Sequence, residues 1–190
     1  MIDMEPPTAI TTHLLQDQSS FKRCVTSVSW LPERFDRIAA SYSVMKFQAT
    51  PEGMSDSSYI WHLENPNYPE QELVPQSPLC CLEYNPKDSH VLAGGSYNGL
   101  VACWDVRRGS QPTQTSAIAN SHRDPVYKVA WLQSKTGSEF ASVSTDGQVL
   151  WWDTRKLGEP VESLPLLPKN SQMGEELMGA VSLDYSEVSL

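Results

Sequence analysis

Positive charge is scarce in this sequence: Lys and Arg number 14 against 23 Asp and Glu, which leaves a formal net charge of −9 and a pI near 4.8. Such a surface repels phosphate backbones and anionic lipid, so nucleic-acid and membrane binding are disfavoured and a protein partner is favoured. Long apolar runs are missing too. No stretch approaches the roughly 20 apolar residues that cross a bilayer, and the opening MIDMEPPTAI has Asp3 and Glu5 where a secretory signal carries basic residues. Cysteine is sparse, and Cys24, Cys80, Cys81 and Cys103 lack CxxC spacing while sitting in apolar, strand-like runs. This predicts buried free thiols in a reducing compartment instead of a disulfide or metal framework. His13, His62, His90 and His122 are scattered without ligand spacing, so neither zinc nor any other cofactor is expected. The expectation is a soluble, intracellular protein.

What the chain does have is 39% hydrophobic residues, enough for a packed core, with 14 Pro and 10 Gly spread along its length. That punctuation suits many short strands separated by turns, and predicts an all-β fold. GGSYNG (94 to 99) has the Gly-x4-Gly spacing of a phosphate loop, but Leu100 and Val101 follow where such a loop needs Lys and then Ser or Thr. No nucleotide site is predicted.

The informative feature is a repeat. GGSYNGLVACWDVRRG (94 to 109) and VSTDGQVLWWDTRKLG (143 to 158) match in order: a hydroxyl residue, a turn dipeptide ending in Gly, an apolar run, Trp-Asp, one residue, then Arg. Asn98-Gly99 and Asp146-Gly147 are pairs that tolerate positive φ in a hairpin, so each marks a strand reversal. Upstream, HVLAGG (90 to 95) and EFASVS (139 to 144) supply second strands, and LCCLEYNP (79 to 86) and VYKVAWLQ (126 to 133) supply first strands. A weaker copy precedes them in VTSVSW (25 to 30), IAASYS (38 to 43) and SYIWHL (58 to 63). Trp61, Trp104 and Trp152 recur at intervals of 43 and 48 residues, the period and Trp-Asp signature of WD40 repeats, whose unit is a four-stranded propeller blade. QELVP (71 to 75), PTQTSAI (112 to 118) and PVESLPL (160 to 166) are the expected fourth strands.

The predicted architecture is a partial WD40 β-propeller of about three four-stranded blades with a stub at each end. Residues 1–23 form an N-terminal segment with an orphan outer strand at AITTHLL (9 to 15). The blades fall at 24–78, 79–120 and 121–170, and 171–190 holds a linker and the start of a next blade at GAVSLDY (179 to 185). Closed propellers need roughly four to eight blades, so three blades predict a fragment with exposed interblade faces.

Within this scheme the repeat tryptophans are packing residues. In the third blade His122, Asp146, Trp152 and a second-strand serine, Ser142 or Ser144 with Ser144 preferred, match the hydrogen-bonded tetrad of WD40 blades. The same Ser, His and Asp types serve nucleophilic catalysis, but a general base there needs a nucleophile at an open site, and the repeat already accounts for all three. The protein is expected not to be an enzyme. Trp151 points to the opposite strand face from Trp152 and is read as packing against a neighbouring strand, with a surface anchor as the alternative. Arg107 and Arg108 in DVRRG, with Arg155 and Lys156 in DTRK, are the local excesses of positive charge and the candidate contacts for an acidic partner segment.

SYIWHLENPNYPE (58 to 70), NPKDSHVLAGGSYNGLVACWDVRRG (85 to 109) and SHRDPVYKVAWLQSKTGSEFASVSTDGQVLWWDTRK (121 to 156) together resemble the WD-repeat region of dynein intermediate chains over roughly residues 9 to 186. WLQSKTGSEF favours the axonemal branch over the cytoplasmic one. The resemblance implies a seven-bladed parent and a non-catalytic subunit that binds the dynein heavy-chain tail in assembly of the outer arm, supporting ciliary or flagellar movement. It implies dynein heavy chains and other dynein intermediate and light chains as partners, microtubule association only through them, and residence in the cytoplasm, cytoskeleton and axoneme. His62 departs from the pattern by replacing the Asp of Trp-Asp, and the first two blades lack the tetrad histidine. An alternative function rests on WDVR (104 to 107) and WDTR (152 to 155), which match the WDxR pattern of propellers that serve as substrate receptors of a ubiquitin ligase.

Overall fold

A computed structural model describes residues 8–46, 51–168 and 177–185. They form three four-stranded antiparallel sheets, each with its strands side by side in chain order. The first contains β1 (Cys24–Trp30), β2 (Arg37–Ser43), β3 (Ser58–His62) and β4 (Gln71–Leu73). The second contains β5 (Leu79–Tyr84), β6 (Val91–Ser96), β7 (Val101–Asp105) and β8 (Gln114–Thr115); the third contains β9 (Val126–Trp131), β10 (Glu139–Ser144), β11 (Gln148–Asp153) and β12 (Glu162–Pro165). Gly99 and Gly147 take φ of +88° and +80°, which lets the β6–β7 and β10–β11 turns reverse without strain.

The sheets are copies of one another in register. Trp30, Ile38 and Trp61 share a rung, as do Tyr84, Leu92 and Trp104, and Trp131, Phe140 and Trp152. The adjacent rung on the same face holds Val28, Ala40 and Tyr59, then Leu82, Gly94 and Ala102, then Val129, Ser142 and Leu150. In the second and third sheets this face lies against the back of the sheet before it. Leu82, Tyr84, Leu92 and Trp104 pack with Ala39, Ile60 and Leu73, while Val129, Trp131, Phe140 and Trp152 pack with Ala93, Val101 and Cys103. The core is therefore two seams between sheets, as radial packing of propeller blades requires.

The outer faces differ from these seams. Val28 and Trp30 are 53% and 45% exposed, whereas their counterparts Leu82, Tyr84, Val129 and Trp131 are buried. Trp61 is nonetheless fully buried, in a cluster with Ala40 and Tyr42 that Leu15 covers. At the other end Trp151 packs with Ala141, Val143 and Val149 beside Ala180 and Leu183.

Three expectations are corrected. Neither 9–15 nor 179–185 is a strand, because among the described residues neither segment has a ladder partner in a sheet of its own. The second segment instead runs along the third sheet, with Met178 N–H donating to Leu166 O at 2.8 Å and Ala180 N–H to Ser144 O at 3.0 Å. Cys24 is exposed at the start of β1, where no other sheet among the described residues covers it, unlike buried Cys80, Cys81 and Cys103. Residues 1–7 and most of the linker within 171–190 lie outside the described residues.

Close approach at a seam is tightest at Gly95, where an added Cβ would sit 2.4 Å from Val126 Cγ1 and 2.9 Å from Cys81 Sγ. Gly to Ala in a strand ordinarily gains a few tenths to about 1 kcal/mol. Here overpacking reverses the sign, and Gly95→Ala is expected to cost about 2 kcal/mol in urea unfolding. Adding Val126→Ala is expected to recover part of that loss, so strictly additive effects would contradict the close seam.

Candidate functional site

His122, on the connection entering β9, is the centre of a polar network, and its neighbours determine its tautomer. Trp152 Nε1–H, which can only donate, gives its proton to Ser142 Oγ at 2.8 Å. The Ser142 hydroxyl is thereby turned to donate to His122 Nε2, also at 2.8 Å, and His122 Nδ1–H donates to the Asp146 carboxylate at 3.1 and 3.2 Å. Asp146 further accepts from the backbone N–H groups of Arg123 and Gln148, each at 3.0 Å. The network ties the connection entering the blade to the β10–β11 turn and to the repeat indole.

Ser142, and not Ser144, occupies the bridging position. Ser142, Ser144 and Phe140 share a face by strand alternation, so parity alone cannot separate the two serines; the register does, by placing Ser142 one rung from Trp152. Ser144 Oγ instead accepts from Asp146 N–H at 3.4 Å. Burial keeps His122 below its ordinary pKa, and Asp146 opposes the shift without reversing it. The imidazole is neutral near pH 7 and both its nitrogens are committed, so it is not free to act as a general base.

The other blades satisfy their indoles differently. Gly94 stands where Ser142 does, so Trp104 Nε1–H reaches Ser110 O at 3.2 Å. Trp61 Nε1–H donates to Tyr42 Oη at 3.0 Å, with Ala40 at the serine position. Sequence reading missed Tyr42 because nothing in the repeat pattern assigns a role to a tyrosine there.

The basic residues lie on the connections after β7 and β11, at one end of the sheets. Arg107 folds back on Asp105, Nε to Oδ1 at 2.8 Å and Nη2 to Oδ2 at 2.7 Å, while Asp105 Oδ1 caps Arg107 N–H at 3.0 Å. This arginine holds the Asp105 carboxyl at a pKa of about 2. Arg155 repeats the arrangement on Asp153, with the backbone cap at 2.9 Å and Nε at 3.0 Å from both oxygens. The WDxR pattern thus has a local structural role, in which Asp caps a turn and Arg clamps the cap. Lys156 pairs with Glu159, and Arg108 is exposed with its nearest carboxylate, Asp105, 4.0 Å away. Alongside, a cleft of about 310 Å³ between the first two sheets has an apolar floor of Leu31, Ile60, Tyr84 and Val106. Arg37 forks onto Glu70 at 2.6 and 2.9 Å across its rim, so the rim charges offset one another.

Burial pushes the thiols of Cys80 and Cys81 up to about 12, so both stay protonated and unreactive at neutral pH. Among the described residues no group of three or more His, Cys, Asp or Glu is arranged to hold a metal ion, and no helix is long and apolar enough to cross a membrane.

The His122 network predicts a pH dependence. Unfolding restores an ordinary histidine pKa of about 6.5, so the unfolded chain takes up the proton first. The contribution of His122 to stability is complete above that value and is lost as pH falls through the lower folded-state pKa. His122→Gln is expected to flatten the pH dependence of stability between about pH 5 and 7. At pH 7.5, His122→Ala is expected to cost about 2 kcal/mol by leaving Ser142 and Asp146 short of partners. Denaturant titrations across this range check both, and an unchanged pH slope in His122→Gln would contradict the assignment.

The family model "WD domain, G-beta repeat" matches residues 68–105 and 113–153. Each match begins in or just before the outermost strand of one sheet and ends at the Trp-Asp of the next. Over 181 residues, 95% of its length, the chain is 54% identical to "Dynein intermediate chain 3, ciliary" of Heliocidaris crassispina and 53% identical to "Dynein axonemal intermediate chain 2" of Homo sapiens. Over 182 residues it is 47% identical to "Dynein, 70 kDa intermediate chain, flagellar outer arm" of Chlamydomonas reinhardtii. The chain spans about 30% of the length of the first two relatives and 32% of the third.

Proposed function

The chain belongs to the dynein intermediate chain family as part of its WD-repeat region, and we propose that it is a non-catalytic scaffold in an axonemal outer-arm dynein, where its blades bind the heavy-chain tail. The observation that carries this reading is identity above 50% along 95% of the chain with ciliary and axonemal intermediate chains. The local chemistry supports it. The Ser, His and Asp of the third blade are consumed in holding the blade together, which leaves them to define a rigid surface and not a reacting centre. The place of action is the axoneme of a cilium or flagellum, with other dynein intermediate and light chains as neighbours and microtubules reached through the complex.

The loops after β7 and β11 are the proposed contact for an acidic segment of the partner. Arg107 and Arg155 are engaged with their own aspartates, which fixes the loop shape, and Arg108 and Lys156 project outward to meet the partner. Val28 and Trp30 are the proposed seat of a further blade in the longer protein, since the same rungs in the other two sheets are seams.

Affinity recovery of the full-length protein from axonemes is expected to bring down dynein heavy chains. The pair Arg108→Glu and Lys156→Glu is expected to lower that recovery about tenfold, equivalent to roughly 1.4 kcal/mol, without altering blade stability. Absence of heavy chains from the unmodified sample would refute the scaffold role. Full recovery with the charge-reversed pair would refute the basic loops as the contact.

A further inference from the structure

Phe21 stands in the first blade where His122 stands in the third, yet the connection entering β1 is held by a part-buried network. The Arg23 side chain is fully buried and that of Asp17 is partly exposed, at 16%. Arg23 Nε and Nη2 fork onto the two Asp17 oxygens at 2.9 and 2.8 Å, and Nη1 donates to Ser55 O at 2.9 Å and Ser57 O at 2.6 Å. The guanidinium carbon lies 4.9 Å from the Tyr42 ring centroid and 5.5 Å from that of Tyr59. Tyr42 Oη in turn accepts from the repeat indole, Trp61.

We infer that Asp17, Arg23, Tyr42 and Trp61 form an arginine-centred anchor that does for the first blade what His122, Ser142, Asp146 and Trp152 do for the third. The two networks join equivalent parts. Tyr42 pairs with Val25 as Ser144 pairs with Val126, so the two connections enter their sheets at the same height. His122 reaches a carboxylate in a tight turn; Arg23 reaches the carbonyls of Ser55 and Ser57 in a wider loop, with the Asp56 carboxylate between them in the chain. Two carbonyls and a carboxylate converging on one point call for a donor with many N–H groups in a fixed plane, and the flat guanidinium also stacks on the two tyrosines.

The substitution changes how the blades respond to acid. The third-blade anchor depends on a neutral imidazole facing Asp146, with Arg123 and Asp124 flanking it in the chain. The first-blade anchor depends on a guanidinium that stays charged, facing Asp17, Asp56, Tyr42 and Tyr59. Between pH 7.5 and 5.5, where ordinary histidines titrate and ordinary carboxylates do not, the anchor at His122 loosens and the anchor at Arg23 does not.

Hydrogen exchange of the full-length protein, corrected for intrinsic rates, tests this. In the unmodified protein the shift to pH 5.5 is expected to speed exchange severalfold in peptides covering 121–126 and 144–148 and to leave 16–24 and 55–61 unchanged. Arg23→Lys, which keeps the charge but loses the fork and the stacking plane, is expected to speed exchange of 16–24 and 55–61 at least tenfold at both pH values, with the third blade unaffected. Equal acid response in the two blades, or unchanged first-blade protection in Arg23→Lys, would overturn the inference. Should Arg23→Lys not accumulate as folded protein, the comparison of the two blades in the unmodified protein still decides it.

Discussion

An indole wedged between one sheet and the next is the contact on which the rest of this structure depends. Trp104 and Trp152 are fully buried in the two seams, and Trp61 occupies the same rung of the first sheet. A buried indole removes on the order of 150–250 Å² from water, roughly 4–6 kcal/mol as an upper figure. The same burial obliges the indole N–H to find an acceptor. The three blades supply a serine hydroxyl, a backbone carbonyl and a tyrosine hydroxyl. The apolar wedge is what repeats, and the polar solution is local to each blade.

The repeat unit of the sequence and the sheet of the structure are out of phase by one strand. The matched stretches 68–105 and 113–153 start at the outer edge of one sheet and finish on the Trp-Asp of the next. Each unit therefore straddles a seam, and the chain itself ties neighbouring blades together. Stability in such an array is a sum of sheets and seams, which suits a platform whose loops are free to vary while its spacing stays fixed.

Much of this was legible in the residues. Asn98-Gly99 and Asp146-Gly147 marked hairpins because few other dipeptides accept their backbone angles, and the tryptophan interval then fixed the number of strands between them. The outer strands were faint for a physical reason: β8 has two residues and every residue of β12 is exposed, so burial imposes no pattern on them. Strand parity could not choose Ser142 over Ser144, since both face the same way. The exposure of Cys24 depended on what lies beside β1, which no local pattern records. The Arg23 network joins residues far apart in the chain through a stack and two carbonyls, contacts that leave no motif.

Hydroxyl-radical footprinting read out tryptophan by tryptophan tests the central claim most directly. The seams predict that Trp104 and Trp152 are strongly protected from oxidation in the folded 190-residue chain, as Trp61 is beneath Leu15, while Trp30 reacts readily. Reactivity of Trp104 and Trp152 comparable to that of Trp30 would mean that the sheets do not pack face to face through their indoles, and would contradict the account.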